Sequence, residues 1–363
     1  MKIKFILIIK LLLIITACVD EIKLKEDYTS KKLVVSSFIT NGENIVVNLY
    51  QNKPINSKYE PALKTKAKIV LYENGNEKET LKPMVRYSNS YDYENQTQIT
   101  DSTYMYTSEQ TEIKNGNTYK IVVECEGYET VTAETTVPFP VPVNAFDSLT
   151  VHKESHGSKY TEYDYKLSFT DKAEDINYYR LIVLEASAKK SFLKLGSDTI
   201  DYIDMNLFSS STYINSTDPL LTNENKDANS YLFGELDNSY GIFTDDMING
   251  ESYEIKFTAN FQYYSSNEMD YEAGEFRKVN LVLQSLNADM FYYLRSIDAQ
   301  EYSDYMMFTE PVPIYSNVEN GFGVFAAYAS SEIEIIYGEY PKEGVKYFTW
   351  SDIQQLYEDY NNK

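Results

Sequence analysis

The first chemically distinctive residue in this chain is a thiol near its start. Ile15-Thr16-Ala17-Cys18 puts an aliphatic residue and two small residues before a cysteine. That order has the form of a bacterial lipobox. The Cys18 sulfur would take a diacylglycerol, the chain would be cut before it, and the freed amine would be acylated. One myristoyl chain holds a protein only marginally, whereas two lipid signals anchor it stably. Lys2, Lys4 and Lys10 flank and interrupt a short apolar core that ends at Ile15, the pattern of an export signal. It is too short and too charged for a membrane span. Residues 1–17 therefore read as a lipoprotein signal peptide, Cys18 as the lipid attachment, and 18–31 as a charged tether.

Other groups that could do chemistry carry less weight. His152 and His156 stand four apart, a spacing that grips zinc only on a helix. Gly157 and Ser158 follow them, so a loop is expected and no metal site is assigned. Asp198, Asp201 and Asp204 recur every third residue and Asp245-Asp246 adjoin. Calcium favours such oxygen-rich loops, but the EF-hand order with its Gly is absent, and a solvated acidic loop is expected. No G-x-S-x-G elbow, phosphate-binding Gly-rich loop or cysteine cluster occurs. The expectation is a non-catalytic chain with no cofactor. Cys125 shares one face of a period-two run with Tyr119, Ile121 and Val123, which predicts a buried, inert core thiol. Tyrosine is abundant at 35 copies. Its flat apolar face and hydroxyl suit sugars and peptides. Tyr91, Tyr93, Tyr104 and Tyr106 lie in a polar, irregular stretch and are candidates for an exposed patch.

The elements that would position these groups are mostly strands. Leu33, Val35 and Ile39 fall on one face, and Ile45, Val47 and Leu49 alternate after an Asn41-Gly42 turn. Ala67, Ile69 and Leu71 repeat the pattern, with further turns at Asn74-Gly75 and Asn115-Gly116. Residues 32–137 read as an N-terminal β-sandwich. Pro138, Pro140 and Pro142 then exclude a central strand and mark a stiff linker over 138–143. Beyond it Tyr163, Tyr165, Leu167 and Phe169 alternate with polar residues. So do Tyr253, Ile255, Phe257, Ala259, Phe261 and Tyr263, and a shorter run of Val279, Leu281 and Leu283. Residues 144–348 therefore read as a second β-rich domain. The periodicity weakens between about 206 and 249, where Ser209-Ser210-Ser211 and residues 223–227 look like loops. One inserted helix is predicted from an Asn287 cap, with Met290, Leu294 and Ile297 on one face. A short C-terminal helix over 349–363 would start at Thr349, with Asp352 completing its capping box. The expected fold is mainly β: two antiparallel, Ig-like sandwiches, the second with one helix and long loops.

The chain has 363 residues and a formal net charge of −22, with 43% apolar residues. That balance builds globular cores and excludes collagen-like, disordered and multi-span membrane classes. So acidic a chain repels phosphate backbones, and nucleic-acid binding is not expected.

A longer pattern runs Glu310-Pro311-Val312-Pro313-Ile314-Tyr315-Ser316-Asn317-Val318-Glu319-Asn320-Gly321-Phe322-Gly323-Val324-Phe325, followed by Ala326-Ala327-Tyr328. The two prolines call for an extended approach, Asn320-Gly321 for a positive-φ turn, and Gly323 for a close backbone contact before a buried strand over 324–328. With the lipobox, the 287–304 helix, the Leu33–Gly42 strand and turn, and Asn177-Tyr178-Tyr179-Arg180, it resembles a family of Bacteroidota outer-membrane lipoproteins that carries a domain of unknown function, the DUF4249-like family. Asp20 and Glu21, just after Cys18, resemble the acidic tag that sends such lipoproteins to the cell exterior. Asp-Ser/Thr tripeptides at Asp101, Asp147 and Asp198 look like O-glycan acceptors of that phylum. The resemblance implies an accessory role beside a TonB-powered β-barrel importer, and it assigns no catalytic or binding residue. The expected function is therefore a membrane-anchored binding component of nutrient import, with a possible glycan or peptide ligand. The alternatives are a structural or adhesive surface protein and, behind both, a hydrolase.

Overall fold

A computed structural model describes residues 31–52, 63, 65–92, 97–155, 158–173, 176–195, 198–212, 214–222, 238–260, 276–305, 312–337, 347–348, 355–356 and 358–360. The signal peptide, Cys18 and nearly all of the 18–31 tether lie outside them. No helix among the described residues is long and apolar enough to cross a membrane.

The chain is mainly β, in sandwich-like pairs of sheets. Strands β1 (Leu33–Ile39), β2 (Asn44–Gln51), β5 (Lys82–Asp92) and β6 (Thr97–Glu112) lie side by side in the order β1-β2-β6-β5. A four-stranded sheet of β3 (Ala67–Glu73), β4 (Asn76–Thr80), β7 (Thr118–Cys125) and β8 (Val131–Thr136) faces them. Their inner faces close one core. Leu33, Val35, Ile45, Val47, Leu49, Ile69, Leu71, Ile121 and Val123 are each at most 1% exposed. These are the alternate residues of strands with one wet face. Burying each aliphatic side chain contributes about 1.5–3 kcal/mol. Cys125 belongs to this core, and burial pushes its thiol pKa up.

Past the prolines come β9 (Val143–Ser155), β10 (Ser158–Thr170), β11 (Tyr178–Leu195), β12 (Asp198–Thr212) and β13 (Ile214–Asn215). Helix α1 (Pro219–Thr222) and strands β14 (Ile242–Thr244), β15 (Ser252–Asn260) and β16 (Phe276–Leu286) follow. Helix α2 (Ala288–Tyr305), β17 (Phe322–Tyr337) and β18 (Tyr347–Phe348) complete the order. The sheet β13-β15-β10-β9 faces β12-β11-β16-β17 across an aromatic core of Tyr163, Tyr165, Phe169, Tyr179, Phe243 and Phe257. Tyr179 donates its hydroxyl to Asp171, which also accepts from the Gly250 N–H at 2.8 Å. Both partners of this buried polar pair are therefore satisfied.

Strand β17 belongs to both halves. Val34–Ile39 pair with Phe322–Ala327 in parallel, and Tyr328–Tyr337 pair with β16 antiparallel. Phe325 and Ala327 enter the first core together with Val318. Val324 and Ala326, on the opposite face of the pleat, pack beneath α2 with Leu286, Met290, Phe291 and Leu294. The result is one continuous ten-stranded sheet. The ladders are therefore not all antiparallel: β1–β17 and β12–β18 are parallel. The sequence motif performs the expected architectural task. Asn320 has φ 60° and Gly323 has φ 95°. A Cβ on Gly323 would lie 1.9 Å from the Val35 carbonyl oxygen. Asn317 holds the turn by donating to the Phe325 carbonyl at 2.8 Å and accepting from its N–H at 3.0 Å.

Helix α2 starts where its cap is expected. The Asn287 side-chain oxygen accepts from the Met290 N–H at 3.0 Å. Met290 and Leu294 are buried as predicted, while Phe291 rather than Ile297 completes the core-facing stripe. Two stretches expected to be irregular are strands. Ser209–Ser211 lie in β12, with Ser210 and Ser211 paired to Glu185 and Leu184, and the tyrosine-rich stretch forms the β5–β6 hairpin. Cross-strand pairing overrides their weak alternation. Residues 223–227, Phe261, Tyr263, Pro311, Thr349 and Asp352 lie outside the described residues. Residues 355–356 and 358–360 are helical.

Candidate ligand crevice

At the corner where β17 leaves β1 and runs on beside β16, a crevice of about 430 Å³ opens. One wall is the β1–β2 turn with Thr40, Asn41 and Glu43, joined by Asn115 of the β6–β7 turn and by Pro140. The other is the outward face of the second half's sheet. Register there sets Arg180, Gln284 and Ser330 side by side. Ile182, Val282 and Glu332 form the next rung, and Leu184, Asn280 and Glu334 the one after. A period of two puts all nine on one face, because Leu181, Val183, Leu281 and Leu283 between them fill the core.

Polar groups here are incompletely paired. Gln284 is 8% exposed; its Nε2 donates to the Ser330 hydroxyl at 3.4 Å and its Oε1 is buried without a partner. The side-chain oxygens of Asn115 and Asn280 are buried and unpaired in the same way. An unsatisfied buried acceptor costs about 1–3 kcal/mol, and such groups are rare in native proteins. The Gln284 and Asn115 side chains line the crevice, but these oxygens themselves have almost no accessible surface. Outside the crevice lining, Lys278 takes Glu334 as its ion-pair partner. Glu43 and Glu332 have no cation partner among the described residues.

Arg180 lies beside Gln284 on the same sheet face but outside the crevice lining. Its Nε donates to the Tyr240 carbonyl at 3.0 Å and its guanidinium lies over the Tyr240 ring, 5.8 Å from the centroid. Burial works against its charge and lowers its pKa, an effect opposed by Tyr240 and Tyr328. Tyr328 lines the crevice, and its pKa is raised first by burial and then by Glu43 and Glu332, against the pull of Arg180. Its hydroxyl therefore stays protonated, a donor beside acceptors. The arrangement offers amide, hydroxyl and carboxylate oxygens above an apolar floor of Ile182, Leu184 and Val282, which is the chemistry of ligand recognition.

The residues singled out from sequence are elsewhere. Cys18 and His156 lie outside the described residues, and His152 sits on β9 opposite Thr161 rather than in a loop. Asp198, Asp201 and Asp204 are on β12, not a loop, because they pair with β11. Asp245 is buried and accepts from the Asn177 side chain at 3.0 Å, a structural role. No metal-binding cluster of His, Cys, Asp and Glu occurs among the described residues. Asp101, Asp147 and Asp198 all lie on strands. Of the tyrosine candidates, Tyr91 lies on β5 and Tyr93 outside the described residues. Tyr106 is fully buried and its hydroxyl accepts from the Ala67 N–H at 2.7 Å, while Tyr104 packs against the first core. The exposed patch is therefore corrected: strand β6 turns Tyr106 inward. Gln284 and Glu332 carried no signal in the sequence, and Asn115 was legible only as a turn residue. Tyr328 and Arg180 stood in the segments that carry the family resemblance, with no role attached to them.

No curated protein matches the chain. The profile of the DUF4249 family, a domain of unknown function, matches residues 19–334. The match runs from the residue after Cys18 through the whole β17 motif and both walls of the crevice, and the chain belongs to the DUF4249 family.

Proposed function

We propose that this chain is an outer-membrane lipoprotein, anchored through Cys18 and facing the cell exterior, that serves as a non-catalytic binding or accessory component of TonB-dependent nutrient import. The observation that carries the binding role is the crevice, whose lining sets amide, hydroxyl and carboxylate side chains over an apolar floor of Ile182, Leu184 and Val282. The lipobox, the Asp20-Glu21 tag and the resemblance to transporter-associated lipoproteins support the anchor and the setting.

The test is extraction of the anchored protein in mild detergent followed by affinity purification. A large β-barrel protein is expected to co-purify with the wild-type chain and to be lost with Cys18→Ser, which also abolishes labelling by a clickable fatty acid. Purification of the anchored chain alone, with binding to matrix polymers, would instead support the structural or adhesive reading.

A further inference from the structure

Strand β9 is an open edge. Among the described residues its Val143–Ser155 ladder pairs with β10 alone, and no strand lies on its other side. An exposed strand edge is a template for further pairing, and proteins blunt it with proline, charge, brevity or cover. Other edges of this molecule follow that practice. Strand β5 carries Pro83 between Lys82 and Met84, and three of the five residues of β4 are charged. Strands β13 and β18 have two residues each, and β8 is bridged at Thr132 by Glu319. Strand β9 has no proline, and its Phe146 and Leu149 are 45% and 62% exposed.

The charges on this edge are self-complementary. Phe146, Ser148 and Thr150 stand opposite the buried Leu167, Tyr165 and Tyr163, so Asp147, Leu149, Val151 and Lys153 share the face away from the core. Asp147 and Lys153 lie three residues either side of Thr150. An antiparallel second copy with Thr150 opposite Thr150 sets Asp147 against Lys153 and Leu149 against Val151, each twice by two-fold symmetry. Moving the axis one residue either way leaves both charges opposite neutral residues. Centring it on Asp147 or on Lys153 sets like charges together, which is destabilising. Within the chain Lys153 already pairs with Glu162, and Asp147 lies 4.0 Å from Lys166. Across the axis, Lys166, Asp147, the partner's Lys153 and the partner's Glu162 would alternate in sign.

We propose that β9 pairs with β9 of a second copy, antiparallel and centred on Thr150. Two four-stranded sheets then become one of eight strands, and the chain is a symmetric dimer. No residue of β9 lines the crevice, so the dimer leaves that site open and does not depend on it.

The test is disulfide trapping in the full chain, in detergent at about 0.15 M salt, where screening confines repulsion between two acidic copies to about 8 Å. Under mild oxidation Thr150→Cys should give a covalent dimer on a non-reducing gel. The parent chain should not. Nor should Ala145→Cys, which is exposed on the same strand but would sit about 33 Å from its counterpart. On the Thr150→Cys background, Asp147→Lys and Lys153→Asp should each slow linking at least tenfold. An equimolar mixture of the two should restore it, because each charge again meets its opposite. No linking through Thr150→Cys, or equal linking through Ala145→Cys, would overturn the proposal whatever the charge variants do. Linking that neither charge variant slows would overturn the register.

Discussion

The two sandwiches are built from different materials and close in different ways. The first core is aliphatic, and it is completed by Val318, Phe325 and Ala327, nearly two hundred residues after its last strand. The second core is an aromatic column drawn wholly from residues 141–337. The first half therefore depends on the second half's chain, while the second half carries its own core. Strand β17 is where that dependence is discharged, and the crevice lies at the same corner.

The largest expected effect breaks the comparison at its root. A fragment of residues 32–137 should show no cooperative urea transition by circular dichroism, because its core lacks three members and β1 lacks its neighbour. A fragment of residues 138–363 should keep one. Gly323→Ala comes next: a methyl group 1.9 Å from the Val35 oxygen, at φ 95°, forces β1 and β17 apart. Its cost should be about 4 kcal/mol or more, read as a shift in the urea midpoint. Gly42→Ala, at φ 81° but in open space, should cost only about 1 kcal/mol, backbone strain alone. Asn317→Ala leaves the Phe325 amide and carbonyl without their side-chain partner and should cost about 1–3 kcal/mol.

Acid should reveal a smaller asymmetry. Burial alone would raise the Glu79 pKa, but hydrogen bonds from the backbone of Glu109, Gln110 and Thr111 outweigh it and the net shift is downward. Glu73 is lowered chiefly by Lys78. Both carboxylates lie in the first half. A depressed folded pKa contributes stability that is present above the unfolded value and is lost as pH falls through the folded one. Urea midpoints measured from neutral pH to below about pH 4 should fall, and Glu79→Gln should flatten that limb. The smallest effect is on the edge strand of the first half: Tyr87, 71% exposed on β5, should tolerate Ser within about 0.5 kcal/mol.

Much of this frame was legible in the sequence because one wet face and one dry face write a period of two. Leu33–Ile39, Tyr163–Phe169 and Tyr253–Ala259 show it plainly, and Asn287 wrote the start of α2. The β5–β6 hairpin was not legible, because backbone pairing with β6 aligns residues such as Ser88, Asn89 and Ser90, whose types carry no apolar alternation. Strand β17 was read only as far as Tyr328. Beyond it, Ser330 and Glu332 face the crevice and spoil the apolar run. The site itself left no local mark. Glu43, Asn115, Gln284 and Glu332 come from four separate elements, and a lone amide on the polar face of a strand looks the same whether or not its oxygen is paired.

Both halves form one frame around the crevice, joined through β17. Hydrogen–deuterium exchange of the intact protein tests it at the backbone. Amides of residues 322–327 and 328–337 should exchange together, at the slow rate of the β1 and β16 strands beside them. Fast exchange of 322–327 alongside a protected 328–337 would mean that the first half opens independently, and the shared sheet would fall.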